Sequence, residues 1–253
     1  MPAAPFEIPP IPVPGFTDHK GFTIVRADTE ELQHVVYSFR YQIYVEMMRR
    51  RQKCADHARR IIREPLDERG ENYLAVKDSM IVGTVRRNRM DDPAASYYAK
   101  LYRSHLFGEM RQDRIGITTK LMVRLDLQGG SIAPRLLAAF AKDGAKGGVE
   151  VELIDCNKHL ISFMERLGFL SYRGWAVHNE FGTVRPMFMA IDTISYLREI
   201  GSILLPAFRP FVRDGQYGGY DLIRRLAEEP RTESLRHIAH AYRRPVDKLA
   251  EAA

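Results

Sequence analysis

The chain has 253 residues, and 38 lysines and arginines against 32 aspartates and glutamates give a formal net charge of +6. Its hydrophobic fraction of 45% is that of a globular protein, which excludes a disordered chain. Two widely separated cysteines, Cys54 and Cys156, exclude a disulfide framework and favour a reducing, cytoplasmic location. A membrane-spanning helix needs about 18 consecutive apolar residues. The apolar run at residues 200–208 is shorter, so no transmembrane segment is predicted.

The first third of the chain predicts an arm, a strand, a helix and a hairpin. Residues 1–20 are rich in proline, which removes backbone donors and fixes φ, and they predict an extended arm. Residues 21–25 predict a strand, and apolar positions three and four apart from Leu32 to Tyr44 predict a helix after it. Strands at 73–76 and 80–85 are joined by a turn at 77–79.

A basic stretch at residues 49–63 lies between that helix and the hairpin. One interpretation is a solvated helix face. The other is a docking surface for an acidic carrier protein or for the 3′-phosphate of coenzyme A. Few aromatic residues interleave with these charges, so no nucleic-acid partner is expected.

The rest of the chain alternates strands and helices. The predicted helices are 95–107, 134–146 and 157–167, and the predicted strands are 115–127, 149–154 and 184–191. This alternation indicates an α/β class, and the neighbouring strands at 73–85 make the sheet mixed. Residues 192–253 predict a helical, basic extension, whose apolar stripe packs in the core, forms a wall of the acyl pocket or contacts a membrane surface. The predicted organisation is therefore an arm at 1–20, a domain at 21–191 and an extension at 192–253.

One turn has the composition of a phosphate site. It lies between the strand at 115–127 and the helix at 134–146, and its residues are Gln128, Gly129, Gly130, Ser131, Ile132 and Ala133. Glycine lets a ligand approach the backbone, and the free amides and dipole of a helix N-terminus favour an anion. Arg135 would add a charge-assisted contact. The alternative is a plain tight connection, and neither a P-loop nor a dinucleotide fingerprint is present.

This turn, with Pro-Arg-Leu-Leu after it, resembles the acyl-donor loop of the GNAT superfamily of N-acyltransferases, although Ser131 replaces the middle glycine of the family pattern. Asn157, then a helix, then Leu-Gly-Phe at 167–169 resembles the second element of that family. Met164 stands where much of the family has a tyrosine that is proposed to protonate the leaving thiolate. The resemblance covers about residues 20–191. It implies a mixed, mostly antiparallel sheet flanked by helices, with a C-terminal helical extension.

Three further places resemble the N-acyl-homoserine lactone synthases and the related N-acyl amino acid synthases. They are Arg40 before an aromatic residue and valine, Asp67 shortly before a strand, and Arg86 at a strand end. The resemblance implies that these residues order the site and the acceptor pocket. It also implies long acyl chains delivered by acyl carrier protein. A structural ion pair between Arg40 and Asp67 is the alternative.

The central strand departs from the lactone synthases. Thr119 and Lys120 stand where those enzymes have glutamate or serine and then arginine, so the carboxylate that would hold the amine of S-adenosylmethionine is missing. This favours acylation of an amino acid or of another small or peptidic amine. Thr119 and Asn157 complete the predicted catalytic set. The alternatives are a plain strand residue for Thr119, a helix cap for Asn157 and a solvent-facing position for Lys120. Backbone amides near Val123 or Leu125 would polarise the thioester carbonyl.

The predicted activity is N-acyl transfer from acyl carrier protein or coenzyme A, with the acyl thioester as co-substrate. No tightly bound cofactor, metal site or covalent nucleophile is predicted, and Cys156 is interpreted as a packing residue. Two alternatives stay open. One is a short-chain, acetyl-coenzyme A-dependent N-acetyltransferase, and the other is a non-catalytic protein that binds an acyl thioester on the same fold.

Overall fold

The computed structural model describes residues 10–14, 22–228 and 233–242. Most of the predicted arm, Gly21 of the predicted first strand, and residues 229–232 and 243–253 of the predicted extension lie outside the described residues. The chain divides into two compact units, Met1–Arg87 with Thr119–Leu137 and Asn88–Thr118 with Ala138–Ala253. In the described part of the chain, no helix combines the length and the apolarity needed to cross a bilayer.

The described residues include ten strands and eight α-helices, besides shorter helical segments and loops. The strands are β1 (Phe22–Arg26), β2 (Ala55–Asp56), β3 (Ile61–Ile62), β4 (Glu71–Lys77), β5 (Met80–Arg89), β6 (Ile115–Val123), β7 (Val151–Cys156), β8 (Leu170–Ser171), β9 (Ala176–His178) and β10 (Gly182–Ala190). The helices are α1 (Glu30–Tyr41), α2 (Ser96–Leu101), α3 (Ile132–Lys146), α4 (Ile161–Leu167), α5 (Ile194–Glu199), α6 (Leu205–Phe208), α7 (Gly219–Ala227) and α8 (Glu233–Ala241).

In the first unit the strand order is β1, β4, β5, β6. β1 and β4 pair antiparallel with Ile24 opposite Ala75, and β4 and β5 form the predicted hairpin. α1 begins after Thr29, whose hydroxyl accepts the Leu32 N–H at 3.2 Å. The helix then continues as one turn of π-helix at Gln42–Met47.

The described part of the arm adds a short strand-like segment to β5. Pro12 lies opposite Met80 in an antiparallel bridge. The bonds that flank this pair join the Val13 N–H to the Ser79 carbonyl at 2.8 Å and the Ile81 N–H to the carbonyl of residue 11 at 3.1 Å. Residues 11–13 are therefore extended beside β5.

In the second unit the strand order is β6, β7, β10, β8, and β9 pairs with β10. β6 and β7 run parallel with Ile115 opposite Val151, whereas β10 is antiparallel to each of its partners. The predicted fold class, a mixed and mostly antiparallel sheet flanked by helices, is confirmed. The helices α5 to α8 after Asp192 confirm the helical character of the C-terminal extension.

Several predicted boundaries are wrong for identifiable reasons. Residues 49–63 do not form a helix. Arg49 and Arg60 have φ values of 54° and 55°, which a right-handed helix does not allow, and the segment folds into the antiparallel pair β2 and β3. The strand predicted at 115–127 ends at Val123, because the chain turns into a 3₁₀ helix at Leu125–Leu127. β7 begins at Val151, two residues after the predicted start at 149, because the Val149 N–H is bonded to the carbonyl of Gly144 in α3.

Candidate functional site

A cluster of polar side chains, all buried except the half-buried Glu64, forms inside the first unit. We call it the charged cluster, and its members are Arg40, Glu64, Asp67, Asn72, Arg86, Thr119 and Lys120. It contains four of the five residues predicted as catalytic. The structure therefore brings Arg40, Asp67, Arg86 and Thr119 together.

Asp67 is the centre of the charged cluster. Arg40 Nη1 lies 2.8 Å from both of its carboxylate oxygens, and Arg86 Nη1 lies 2.9 Å from Oδ1. Oδ2 also accepts the backbone N–H of Glu64 at 2.8 Å. Arg40 and Arg86 have 0% exposure and Asp67 has 3%. The predicted ion pair between Arg40 and Asp67 thus forms, within a larger network.

The electrostatics of this network keep Asp67 ionised. Burial would raise the pKa of Asp67, but the guanidinium groups of Arg40 and Arg86 outweigh burial and hold that pKa well below the usual carboxyl range. Five donated hydrogen bonds, including a long one from the Asn72 amide, already occupy its oxygens. Asp67 is therefore suited to fixing the two arginines and not to accepting a proton.

Glu64 and Lys120 extend the charged cluster. Glu64 Oε2 lies 2.8 Å from Arg86 Nη2, and its Oε1 lies 2.6 Å from Lys120 Nζ. Burial would raise the pKa of Glu64, but the charges of Lys120 and Arg86 lower it overall. Lys120 is 6% exposed and its ammonium lies 5.2 Å from the ring centroid of Tyr44. The interpretation of Lys120 as solvent-facing is wrong.

An unusual backbone conformation explains this position of Lys120. Its φ is +53°, in the left-handed region, although it lies inside β6. Consecutive strand residues normally point to opposite faces, and a left-handed residue breaks this alternation. The Thr119 hydroxyl accepts from Arg86 Nε at 3.1 Å while Lys120 binds Glu64, so both neighbours reach the same ion network. Strained residues of this kind concentrate at functional sites.

The predicted donor loop, residues 128–133, is open at its glycines. Gly129 has a φ of +78°, and a Cβ added there would meet no atom within 4 Å. A Cβ at Gly130 would meet the Leu127 carbonyl oxygen at 3.5 Å. Gln128 and Ser131 are also exposed, so none of the described side chains seals this turn.

The first turn of α3 follows directly. The Arg135 N–H bonds to the Ser131 carbonyl at 3.2 Å, so the amides of Ile132 and Ala133 precede the first bond of that ladder. Ile132 is buried, whereas Arg135 is exposed. The arrangement is an exposed turn leading into a helix N-terminus, which is the local geometry that suits a phosphate group.

Val123 and Leu125 lie on either side of Arg124 at the end of β6. Val123 is 8% exposed, and its carbonyl accepts from Gln128 Nε2 at 3.3 Å, which ties the donor loop back to the strand. Leu125 is 41% exposed and begins the 3₁₀ helix. The Arg124 N–H is bonded to the Val82 carbonyl at 2.9 Å.

Asn157 belongs to the second unit and has a different environment. Its amide nitrogen donates to the carbonyls of Phe181 and Thr183, each at 3.1 Å, and so joins the end of β7 to the β9–β10 hairpin. Cys156 is buried beside Met187, and burial raises the pKa of its thiol to about 12. Such a thiol is inert, which agrees with its interpretation as a packing residue.

Besides Lys120, sequence reasoning missed two members of the charged cluster, Glu64 and Asn72. A local pattern could have identified the first. Glu64 is followed by Pro65 and, three positions on, by Asp67. The two acidic residues form a capping box on a 3₁₀ turn, in which each side chain accepts the backbone N–H of the other residue. Asn72, whose oxygen accepts from Arg40 Nη2, has no comparable local pattern.

No protein-family model and no curated protein sequence matches the chain. Solved structures do match it. A coenzyme A-dependent acyl-homoserine lactone synthase, BjaI, solved with SAM and isopentyl-CoA, is 16% identical with a TM-score of 0.58, over 72% of this chain and 91% of that one. The N-acyl amino acid synthase FeeM, from uncultured soil microbes, is 11% identical with a TM-score of 0.54, over 74% and 97%.

The lactone synthase LasI is 13% identical with a TM-score of 0.53, and the match covers 77% of this chain and 97% of that one. At these identities the likeness concerns the fold. The chain therefore has the fold of acyl-homoserine lactone synthases and of an N-acyl amino acid synthase, which is the GNAT-like branch that its motifs resemble.

Proposed function

We propose that the chain is an N-acyltransferase. It moves an acyl group, with long chains preferred, from an acyl carrier protein or coenzyme A thioester to the amine of an amino acid or of another small or peptidic acceptor. The observation that carries this proposal is the open turn at Gly129 and Gly130, which leads from β6 into the N-terminus of α3.

The donor loop supplies the binding of the donor's phosphate groups. Amides of the turn and of the first turn of α3 would donate to phosphate oxygens, and the dipole of this helix adds positive potential. The Arg135 side chain is exposed at the same helix end and contributes charge. The exposed arginines of the basic segment, such as Arg49, Arg51 and Arg59, would attract an acidic carrier protein.

The charged cluster orders the acceptor side. Asp67 is ionised and fully bonded, so it holds Arg40 and Arg86 in place. The Thr119 oxygen accepts from Arg86 Nε, which leaves its own O–H proton to donate to a water molecule or to the acceptor. We assign Thr119 the role of orienting the group that receives the proton from the amine.

The reaction needs no covalent enzyme intermediate. The amine nitrogen attacks the thioester carbonyl, a C–N bond forms, and the C–S bond breaks. The nitrogen loses a proton, and the departing thiolate gains one, through a water molecule that Thr119 orients. Backbone amides near Val123 or Leu125 stabilise the oxyanion that develops on the carbonyl. Holding donor and acceptor side by side supplies the proximity that drives the transfer.

A turnover assay tests the proposal. Purified protein is incubated with acyl thioesters from acetyl to palmitoyl, on coenzyme A and on acyl carrier protein, with a panel of amino acids and amines. Released thiol is titrated and products are identified by mass spectrometry. We expect an N-acyl amine from long-chain donors. A preference for acetyl-coenzyme A supports the short-chain alternative, and tight donor binding without thiol release supports a non-catalytic protein.

A matched pair of substitutions tests the donor loop. Ser131→Tyr places a ring over the turn, and we expect the donor KM to rise about tenfold or more, which is a loss of about 1.4 kcal/mol of binding. Ser131→Ala removes a hydroxyl without adding bulk and should leave the donor KM close to that of the parent. An unchanged donor KM in Ser131→Tyr contradicts the assignment of the loop.

A further inference from the structure

A cavity of about 350 Å³ lies within the second unit. Its walls include Glu150 and Val151 at the start of β7, Asp192 just after β10, and Tyr217 and Gly219 at the start of α7. None of its lining residues belongs to the charged cluster or to the donor loop. The volume lies within the range of small-molecule sites in proteins.

Asp192 is the buried charge of this cavity. It has 0% exposure, and its Oδ2 accepts the backbone N–H groups of Tyr217 at 2.6 Å and of Gly219 at 3.1 Å. Its Oδ1 has no hydrogen-bond partner among the described residues. A buried carboxylate oxygen without a donor is unfavourable, so a donor from outside the protein would stabilise this position.

Gly219 keeps the unpartnered oxygen free of a covering side chain. A Cβ at this position would lie 2.1 Å from Asp192 Oδ1 and 2.8 Å from the Cβ of Ala190. Any other residue would therefore collide with the carboxylate. The glycine and the carboxylate together leave this wall of the cavity polar.

The charged residues that line the cavity are four carboxylates and three arginines, which leaves one negative charge in excess and favours a cation; they are Glu109, Glu150, Asp192 and Asp221, and Arg111, Arg114 and Arg225. Arg111 is paired with Asp113 at 2.6 Å, and Arg114 lies 4.0 Å from Glu150. Within the described ranges no cationic side chain forms an ion pair with Asp192, whose pKa is raised by its burial. The pKa of Glu150 is raised as well, first by burial and then in part by the charge of Asp192, because the two carboxylates repel.

A metal ion is a poor fit for this charge. No group of three or more histidine, cysteine, aspartate or glutamate side chains is placed to hold a metal within residues 10–14, 22–228 and 233–242. A primary ammonium needs fewer ligands, since it carries one charge and three N–H donors. Apolar surface from Val151, Ala190 and Leu222 would cover a short hydrocarbon body.

We infer that this cavity binds a small organic cation, a primary ammonium that neutralises Asp192 with Glu150 beside it. The site differs from the proposed acyl-transfer site in every residue, so the inference stands without the proposed function. Binding alone is measured, which separates the two tests.

The probe is n-butylamine, with n-butanol and butyrate as matched controls of the same length that are neutral or negative. Isothermal titration gives the Kd, and ¹H–¹⁵N correlation spectra show which amides respond. We expect the amine to bind, the two controls not to bind, and the amide signals of Tyr217 and Gly219 to shift. Equal binding of n-butanol, or shifts confined to other parts of the chain, would overturn the inference.

Three variants locate the binding group. Asp192→Asn keeps the shape and an acceptor for the two amides, and we expect its Kd for the amine to rise about tenfold, since charge-assisted bonds exceed neutral ones. Glu150→Gln should raise the Kd about threefold. Glu165→Gln, on the exposed side of α4, should leave it unchanged. If Asp192→Asn does not fold, Glu150→Gln decides, and an unchanged Kd in a folded variant of either residue refutes the site.

Discussion

The substitution Asp67→Asn isolates the energetic role of the charged cluster. It removes one negative charge and almost no volume. Arg86 keeps its ion pair with Glu64 at 2.8 Å, whereas Arg40 keeps the hydrogen bond to the neutral side-chain oxygen of Asn72. Breaking one side of a buried ion pair costs about 3–5 kcal/mol, because the remaining charge stays desolvated. That is a large part of the 5–15 kcal/mol, roughly, that stabilises an ordinary domain.

The chain offers a matched control for this change. Asp126 accepts two hydrogen bonds from Arg124, at 2.7 and 2.9 Å, but its side chain is 60% exposed. Exposed ion pairs contribute roughly 0–1 kcal/mol. Asp126→Asn therefore breaks the same kind of ion pair, but at an exposed position instead of a buried one. We expect its free energy of unfolding to stay within about 1 kcal/mol of the parent.

Urea-induced unfolding at pH 7, followed by circular dichroism, measures both variants. The pH dependence gives a second check. The pKa of Asp67 is lower in the folded than in the unfolded state, so its stabilising contribution is complete above the ordinary carboxyl pKa of about 4 and is lost as the pH falls towards the folded value. The difference in the free energy of unfolding between the parent and Asp67→Asn should become smaller as the pH is lowered. Equal, small losses in the two variants at pH 7 would refute the reasoning.

Three further outcomes are expected. Gly129→Val forces a branched residue to a φ of +78° and covers the turn, so the donor KM should rise about tenfold, and an unaltered KM would argue against the donor loop. Asn157→Ala loses two hydrogen bonds, so its free energy of unfolding should fall by about 1–3 kcal/mol while the donor KM stays unchanged. A raised donor KM with unchanged stability would instead assign Asn157 to donor binding. Iodoacetamide at pH 8, read by mass spectrometry, should label exposed Cys54 and spare Cys156, whose pKa is raised to about 12; label on Cys156 in the native protein would contradict its burial.

Three of the residues named from the family resemblance lie together in the structure. Arg40, Asp67 and Arg86 lie far apart along the chain, and the resemblance rather than any local property brought them into one prediction. The structure joins them through a single carboxylate. Asn157 came from the same reasoning, yet its side chain serves two backbone carbonyls, so its predicted catalytic role remains a prediction.

Local conformation accounts for what the sequence did not reveal. A lysine in a strand is normally a surface residue. The sequence around Lys120 does not indicate that this residue adopts a positive φ and is buried. The helix interpretation of the basic stretch at residues 49–63 is wrong for a related reason. Its arginines have good helix propensity, but Arg49 and Arg60 adopt left-handed conformations that propensity cannot foresee.

The bridge between Pro12 and Met80 has a consequence for self-association. The bonds from Val13 and Ile81 flank this pair, so the backbone nitrogen of Pro12 faces away from β5. An exposed strand edge is normally a template on which another chain can pair. Proline has no N–H to offer there, so the added segment ends the ladder instead of extending it. Deletion of the N-terminal segment would therefore expose the end of β5 as a strand edge on which another chain can pair.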